Sequence, residues 1–319
     1  MTHKQLPIAV YYEHQDWFRP LFAELDSRGI DYVKLNASFH SFDPASVATD
    51  FSLLLNRMSA SAYLRGNSSG IFFTHSYLAH LEAAGVRVVN GSRAFTLETS
   101  KARQLQLFTS LGLPFPKTRV VNCASEVLAA APHIGFPLLV KPNIGGRGAG
   151  IMRFDSIEHL RAVIDEATLD LGIDRTALVQ ELILPRNEHI SRVETLGGNF
   201  LYAIDIFTAG KSFNLCPAEI CQVESVPTFL ENDAPNDPEL QLRVRASTPS
   251  HSVIRTVEKI VALGGIDVGG IEYIVDERDG RALFYDINVL SNFVADAPQI
   301  IGFDPHARLV DFLEQQREQ

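Results

Sequence analysis

The stretch that most constrains this chain is Lys141-Pro142-Asn143-Ile144-Gly145-Gly146-Arg147-Gly148-Ala149-Gly150, in which four of the last six residues are glycine. It follows the β-rich run 137–141. Glycines leave backbone N–H groups free to wrap an anion, and a lysine at the end of the preceding strand sets a positive charge beside them. The order of residues then narrows the kind of loop. A Walker A loop needs Lys and Ser or Thr after its last glycine, but Ile151 and Met152 follow here, and no G-x-G-x-x-G register fits these glycines. P-loop NTPases and Rossmann dinucleotide sites are both disfavoured. Taken alone the stretch is also compatible with a simple hairpin, so its meaning depends on the rest of the chain.

Upstream, short β-rich runs alternate with amphipathic stretches: Ile8–Tyr12, 16–27 closing at Gly29, 32–35, 51–56, a helix over 72–84 stopped by Gly85, and a strand over 86–89. This alternation predicts a small parallel α/β domain over residues 1–92. A helix over 93–111, with Lys101 in its interior, ends at Gly112 ahead of Pro114 and Pro116 and opens a second unit, 93–185. In that unit strands 137–141, 151–154 and Ala177–Glu181 surround a helix opened by Asp155 with Glu158 three residues on. A third unit, 186–319, carries runs at 190–196 and 200–207 around the turn Gly197-Gly198, then a polar loop with Pro227, Pro235 and Pro238. A helix over 249–263, a hairpin of 271–275 and 283–288 around Asp279 and Gly280, and a helix after Asp304-Pro305 complete it. The expected class is α/β, with the second and third units as α+β lobes.

Composition excludes several classes. With 319 residues, 46% of them hydrophobic, the chain can fill two or three packed subdomains. No apolar run approaches the roughly 18 residues of a membrane span, and residues 1–12 lack a signal-peptide pattern, so a soluble cytoplasmic protein with no membrane partner is expected. Cys123, Cys216 and Cys221 are an odd number without close-set pairs, which fits free thiols in a reducing compartment. A formal charge of -10, with no stripe of Lys and Arg, argues against nucleic acid as a partner.

The far end of the chain offers a candidate metal site. Gly270-Ile271-Glu272-Tyr273-Ile274 is followed by Asp286-Ile287-Asn288, so Glu272 lies on one strand of a hairpin while Asp286 and Asn288 lie one alternation apart on the other. Two carboxylates and an amide oxygen on one face are hard ligands of the kind Mg²⁺ takes. The bland alternative is an ordinary polar hairpin surface.

Together these features resemble the ATP-grasp superfamily, in matching order over about two-thirds of the chain, from Arg93 to the C-terminus. The resemblance implies that Lys101 and Lys141 contact ATP and that Gly145, Gly146, Gly148 and Gly150 belong to a flexible lid over its phosphates. It implies that Gln180-Glu181-Leu182-Ile183 is the hinge that meets the adenine, and that Glu188, seven residues after Glu181, binds the ribose. Glu272, Asp286 and Asn288 would hold Mg²⁺, or Mn²⁺ in its place, as two ions. The family pattern is more often Asp, then Glu-x-Asn, so Glu272 and Asp286 exchange chain lengths here. In the amino-terminal part, Leu54-Leu55-Asn56-Arg57, Leu81-Glu82-Ala83-Ala84-Gly85, Val88-Val89-Asn90, Ser100-Lys101 and Gly112-Leu113-Pro114-Phe115-Pro116 resemble the RimK-like glutamate ligases. The segment Phe213-Asn214-Leu215-Cys216-Pro217-Ala218-Glu219 does not match their acceptor-binding stretch.

The resemblance implies an ATP-dependent carboxylate–amine ligase working through an acyl phosphate. Its partners would be a small-molecule or peptide carboxylate and an amine such as an amino acid, and a homodimer is the expected assembly. A kinase-type phosphotransferase and a catalytically silent nucleotide-binding regulator are the alternatives. Arg192 and Lys211, flanking the site, and Arg147, inside the lid, are candidates for contacting the γ-phosphate or acyl phosphate, against exposed salt-bridge or solvated-lid readings. The acidic, proline-bounded segment 214–238, with Glu219 and Glu224, is expected to receive the amine.

Overall fold

An unbroken apolar pentapeptide such as Ile8–Tyr12 makes a strand only if both of its faces are covered. In the computed structural model, which describes residues 6–207 and 243–318, this strand, β1, is buried at every position. It lies in a four-stranded parallel sheet of order β2-β1-β3-β4, with β2 Tyr32–Asn36, β3 Leu53–Arg57 and β4 Arg87–Val89. Alternate residues serve different layers. Ile8 and Val10 pack with α1 (Arg19–Ser27), with Ile204 and with Leu309 and Leu313, whereas Ala9 and Tyr11 pack with Ile71 and Leu78 of α2 (Ser68–Ala83). Each such fully buried aliphatic side chain stabilises the fold by about 1.5–3 kcal/mol before entropy is counted.

The helix expected over 93–111 is two helices, α3 (Ser92–Glu98) and α4 (Lys101–Ser110). Ser100, in extended conformation between them, accepts the Arg103 N–H at 3.3 Å as the cap of α4. Lys101 is therefore the first residue of a helix and not an interior one. Likewise the cap of the helix expected at Asp155 is Ser156, whose hydroxyl accepts from the His159 N–H.

The second sheet, antiparallel and of order β5-β8-β6-β7, combines β5 Thr118–Val121, β6 Leu138–Pro142, β7 Met152–Phe154 and β8 Ala177–Glu181. Its core joins Val140 and Val179 to Val127 of α5 (Ala124–Ile134) and Leu160 of α6 (Ile157–Asp165). The third sheet, order β11-β10-β9-β12-β13, contains β9 His189–Leu196, β10 Asn199–Phe207, β11 Arg243–Ser247, β12 Val268–Val275 and β13 Ala282–Asn288. Its neighbouring strands are all antiparallel. Helix α7 (His251–Gly264) packs through Val257, Ile260 and Val261 onto Ile271 and Phe284 and onto α3 and α4. After the short α8 (Ala297–Ile300), helix α9 (Pro305–Arg317) returns to the amino-terminal unit, where Arg28 bonds Asp311 at 2.5 Å. Among the described residues no helix is long and apolar enough to cross a membrane. The expected α/β class is present, with one parallel and two antiparallel sheets.

Candidate active site

The hairpin of β12 and β13 pairs Glu272 with Asp286 and Gly270 with Asn288 in register, so the three expected ligand side chains meet. Glu272 is buried, and its Oε1 accepts from Asn288 Nδ2 at 3.1 Å and from Arg192 Nη1 at 3.2 Å, while Oε2 accepts from the Tyr285 hydroxyl at 2.7 Å. Burial, reinforced by the neighbouring Asp286 charge, pushes the Glu272 carboxyl up. For Asp286 burial acts in the same direction, but the ammonium groups of Lys101 and then Lys141 outweigh it and hold the carboxyl down. Lys101 Nζ donates directly to Asp286 Oδ1.

Asn143, two residues beyond Lys141, sets the position of both lysines. Its backbone oxygen accepts the Lys101 N–H at 3.2 Å, and its side-chain oxygen accepts from Ala102 N and Ser100 Oγ at 2.9 and 3.1 Å. Asp174 anchors the amide from behind at 2.7 Å. The break between α3 and α4 exposes the helix start that grips Asn143. Lys141 is 5% exposed with its ammonium 5.7 Å from the Tyr285 ring centre, and burial, then the nearby Lys101, lowers it to about 8.

These groups line one cavity of about 330 Å³. The glycine-rich loop contributes Gly145, Gly146, Arg147, Gly148 and Ala149, and β8 contributes Gln180 and Glu181 with Leu182 and Ile183 after it. Gly150 is not among the lining residues, but it has φ +72, and a Cβ there would stand 2.8 Å from Pro142 Cγ. Only glycine fits that root of the loop. Glu181 holds the Lys117 N–H at 2.7 Å and Arg278 at 3.1 Å. Glu188 does not join the cavity: it is exposed on the turn Arg186–Glu188, with φ 59. Arg192 does line it, but as a buried group engaged by Glu194 at 2.6 Å, Glu272 at 3.2 Å and Ser291 Oγ at 3.2 Å. Burial alone would favour a neutral guanidinium, yet Glu194 and Glu272 raise its pKa. Lys211, Cys216, Glu219, Cys221, Glu224 and the rest of segment 214–238 lie outside the described residues.

Several lining residues went unflagged by sequence reasoning: Trp17, Ser59, Ser61, Glu98, Tyr285, Asn292 and Phe293. Fully buried Glu194, the counter-charge of Arg192, was also missed. Isolated residues on different elements carry no spacing signal. Glu98 accepts the N–H groups of Val289 and Leu290 at 2.7 and 3.1 Å, immediately after the candidate metal strand.

The donor set suits a hard cation. Glu272 and Asp286 present carboxylates to the cavity, and an Asn288 amide that donates through Nδ2 keeps its oxygen as the ligand atom. Among the described residues no group of three or more His, Cys, Asp or Glu gathers as a metal cluster, and the set here is two carboxylates with one amide.

No family profile matches the chain. Over 104 residues, 32% of this chain and 32% of the relative, the sequence is 36% identical to the D-alanine--D-alanine ligase of Ectopseudomonas mendocina (strain ymp). The chain spans less than a third of the length of the curated relatives it matches. Among solved structures, the ATP-grasp ligase PsnB with a minimal precursor superposes with a TM-score of 0.68 and 18% identity, over 98% of this chain and 100% of that one. A further PsnB complex contains Mg and ADP. The RimK domain ATP-grasp protein of Sphaerobacter thermophilus DSM 20745 gives 0.66 and 19%, over 96% and 98%. The chain has the ATP-grasp fold, in keeping with the resemblance of its motifs.

Proposed function

We propose that this ATP-grasp chain is an ATP-dependent ligase that joins a carboxylate to an amine, with release of ADP and phosphate. The observation that carries the reading is the convergence of Lys101, Lys141, Glu272, Asp286 and Asn288 on one cavity roofed by a glycine-rich loop. The division into units 1–92, 93–185 and 186–319 belongs to the same proposal.

A carboxylate resists attack by an amine because its oxygen is a poor leaving group. Transfer of the γ-phosphoryl group of ATP to that oxygen makes an acyl phosphate, and attack by the amine then expels phosphate. Lys101 and Lys141 would bind the phosphate oxygens as charge shifts during transfer. In the free protein Lys101 is held by Asp286, so a bound nucleotide would exchange this internal pair for contacts of its own. Mg²⁺, as two ions and with Mn²⁺ as a substitute, would be held by Glu272, Asp286 and Asn288 and would neutralise phosphoryl charge. Gly145, Gly146 and Gly148, with Arg147, would cover the phosphates and keep water from the acyl phosphate. Gln180 to Ile183 would receive the adenine. Glu188, exposed on the turn between the lining residues Pro185 and Ile190, would bind the ribose hydroxyls at the rim. Arg192 is fixed next to Glu272, where a guanidinium can steady charge at the reacting carboxyl.

The test is ADP release from Mg²⁺-ATP across amino acids, short peptides and hydroxy acids, with mass spectrometry of each positive mixture. An amide or peptide product that appears with ADP supports the reading. A phosphorylated acceptor as the stable product would replace it with a kinase.

A further inference from the structure

We infer that the cavity contains a built subsite for the carboxylic-acid substrate, in which the Trp17 indole N–H and the Asn292 amide oxygen read polar groups of an amino acid or peptide. The inference rests on the ligase reading above.

More than nine in ten buried polar groups in proteins have a hydrogen-bond partner, and leaving one without costs about 1–3 kcal/mol. Trp17 Nε1 and Asn292 Oδ1 are buried and have no partner among the described residues, and both residues line the cavity. The Trp17 ring is held on both faces, and the chain on either side of Asn292 is fixed. The Trp17 ring stacks on His14 at 5.0 Å between centroids and carries the Arg65 guanidinium at 4.6 Å. Arg65 is itself held by Glu13 at 2.6 Å.

Asn292 sits in a strap, residues 289–294, that buried side chains fix along its length. Glu98 takes two of its N–H groups, and Asn90 donates to the Val289 carbonyl at 2.9 Å. Arg57, from the end of β3, donates to the Ser291 carbonyl. Arg192 binds Ser291 Oγ at 3.2 Å, and the Tyr202 hydroxyl accepts the Val294 N–H at 3.0 Å. So constrained, the strap holds Phe293 at φ 57, a left-handed conformation that costs a residue other than glycine on the order of 1–3 kcal/mol. This many partners fix the strap, and with it Asn292, in the cavity lining.

The chemistry of the two atoms limits that ligand. An indole N–H only donates, so the substrate must offer an acceptor to Trp17, and the Asn292 oxygen, which only accepts, favours a substrate with a donor. A plain aliphatic acid has no donor apart from its reacting carboxyl. An amino acid or peptide has an ammonium or amide N–H for Asn292 and carboxyl or carbonyl oxygens for Trp17.

Hydroxylamine tests this, because it attacks an acyl phosphate to give a hydroxamate and phosphate whatever the natural amine is. Purified protein with Mg²⁺-ATP and hydroxylamine would be assayed against a panel of amino acids and dipeptides, each beside the plain acid of equal chain length, such as L-alanine with propionate, L-glutamate with glutarate and glycylglycine with hexanoate. The expected result is hydroxamate from members bearing the amino or amide group and much less from their plain partners. Asn292→Leu should raise the KM for the accepted acid about tenfold or more and Trp17→Phe about threefold, with the KM for ATP within about twofold of wild type. Should Asn292→Leu not fold, Trp17→Phe decides, since it keeps an aromatic ring and removes the N–H. Hydroxamate with an unchanged acid KM in the folded variants, or equal use of the plain acids, overturns this inference and leaves the ligase reading standing. No hydroxamate from any acid overturns both.

Discussion

Around Asp286 the charges engage one another, Lys101 with Asp286 and Arg192 with Glu194 and Glu272, leaving only Glu194 Oε2 of that network without a partner among the described residues, whereas around Asn292 the neutral Asn292 Oδ1 and two nitrogens of Arg57 stand without one. A bare charge is costly to bury, which fits the pairing of Lys101 and Arg192 with carboxylates at the end proposed for phosphate and metal. A neutral donor or acceptor costs little enough to be left waiting. The contrast separates general chemistry from selectivity. Ionic pairs suit any triphosphate, while single unpaired atoms discriminate between one substrate and its near analogue.

The sharpest way to break the comparison is to unpair the ionic end. Glu194→Ala leaves Arg192 buried with one counter-charge fewer and should destabilise the fold by about 3–5 kcal/mol in equilibrium denaturation. A loss under about 1 kcal/mol would show that the pairing is not what holds this end closed. Next comes Asp286→Asn, expected to lower turnover about 100-fold or more while the circular dichroism spectrum stays unchanged. Full turnover, or unfolding, would remove Asp286 from the metal site.

A milder probe uses Lys141, lowered to about 8 from the ordinary 10.5 of a lysine by burial and by Lys101. Phosphate contact needs the ammonium, so the Kd for ATP should rise as pH passes about 8, by up to about tenfold per unit. The free protein should respond in the opposite direction. Between about 8 and 10.5 the unfolded chain binds the proton that folded Lys141 has lost, so this residue adds stability as pH rises through that window. Calorimetric titration at pH 7 to 9.5 checks the first, and denaturation over the same range the second. An ATP Kd that does not change with pH would exclude a phosphate role for Lys141.

The smallest expected difference lies within the loop that spans both ends. Gly150→Ala meets Pro142 in a left-handed conformation and should cost about 1–2 kcal/mol. Gly146→Ala, where a Cβ would rest 3.5 Å from Ser61 Cβ, should change stability by less than about 0.5 kcal/mol. Thermal melts of the two variants decide, and equal losses would mean that the loop is not pinned at Pro142.

Much of the ionic end could be read from the sequence because its information is local. Glycines in a row, a lysine closing a strand, and carboxylate and amide two residues apart on β13 are consequences of chain periodicity. Many of the strands and helices followed from the same periodicities, but β5, α5 and β11 were not expected. The break before Lys101 was not legible, since a helix pattern runs through 93–111 and the interruption is set by Asn143, more than forty residues away.

What the sequence by itself determined is therefore local: a glycine-rich loop after a lysine, a second lysine, and carboxylate and amide side chains at strand spacing. Only the tertiary structure decided what surrounds them. It left Glu188 exposed on a turn, placed Arg192 in a buried network with Glu194 and Ser291, and brought Trp17 and Asn292, far apart in sequence, to the lining of one cavity. The physical reason is sequence separation. A hydrogen bond between neighbours follows from backbone geometry, but whether a buried indole or amide finds a partner depends on how whole layers pack, and no local pattern records that.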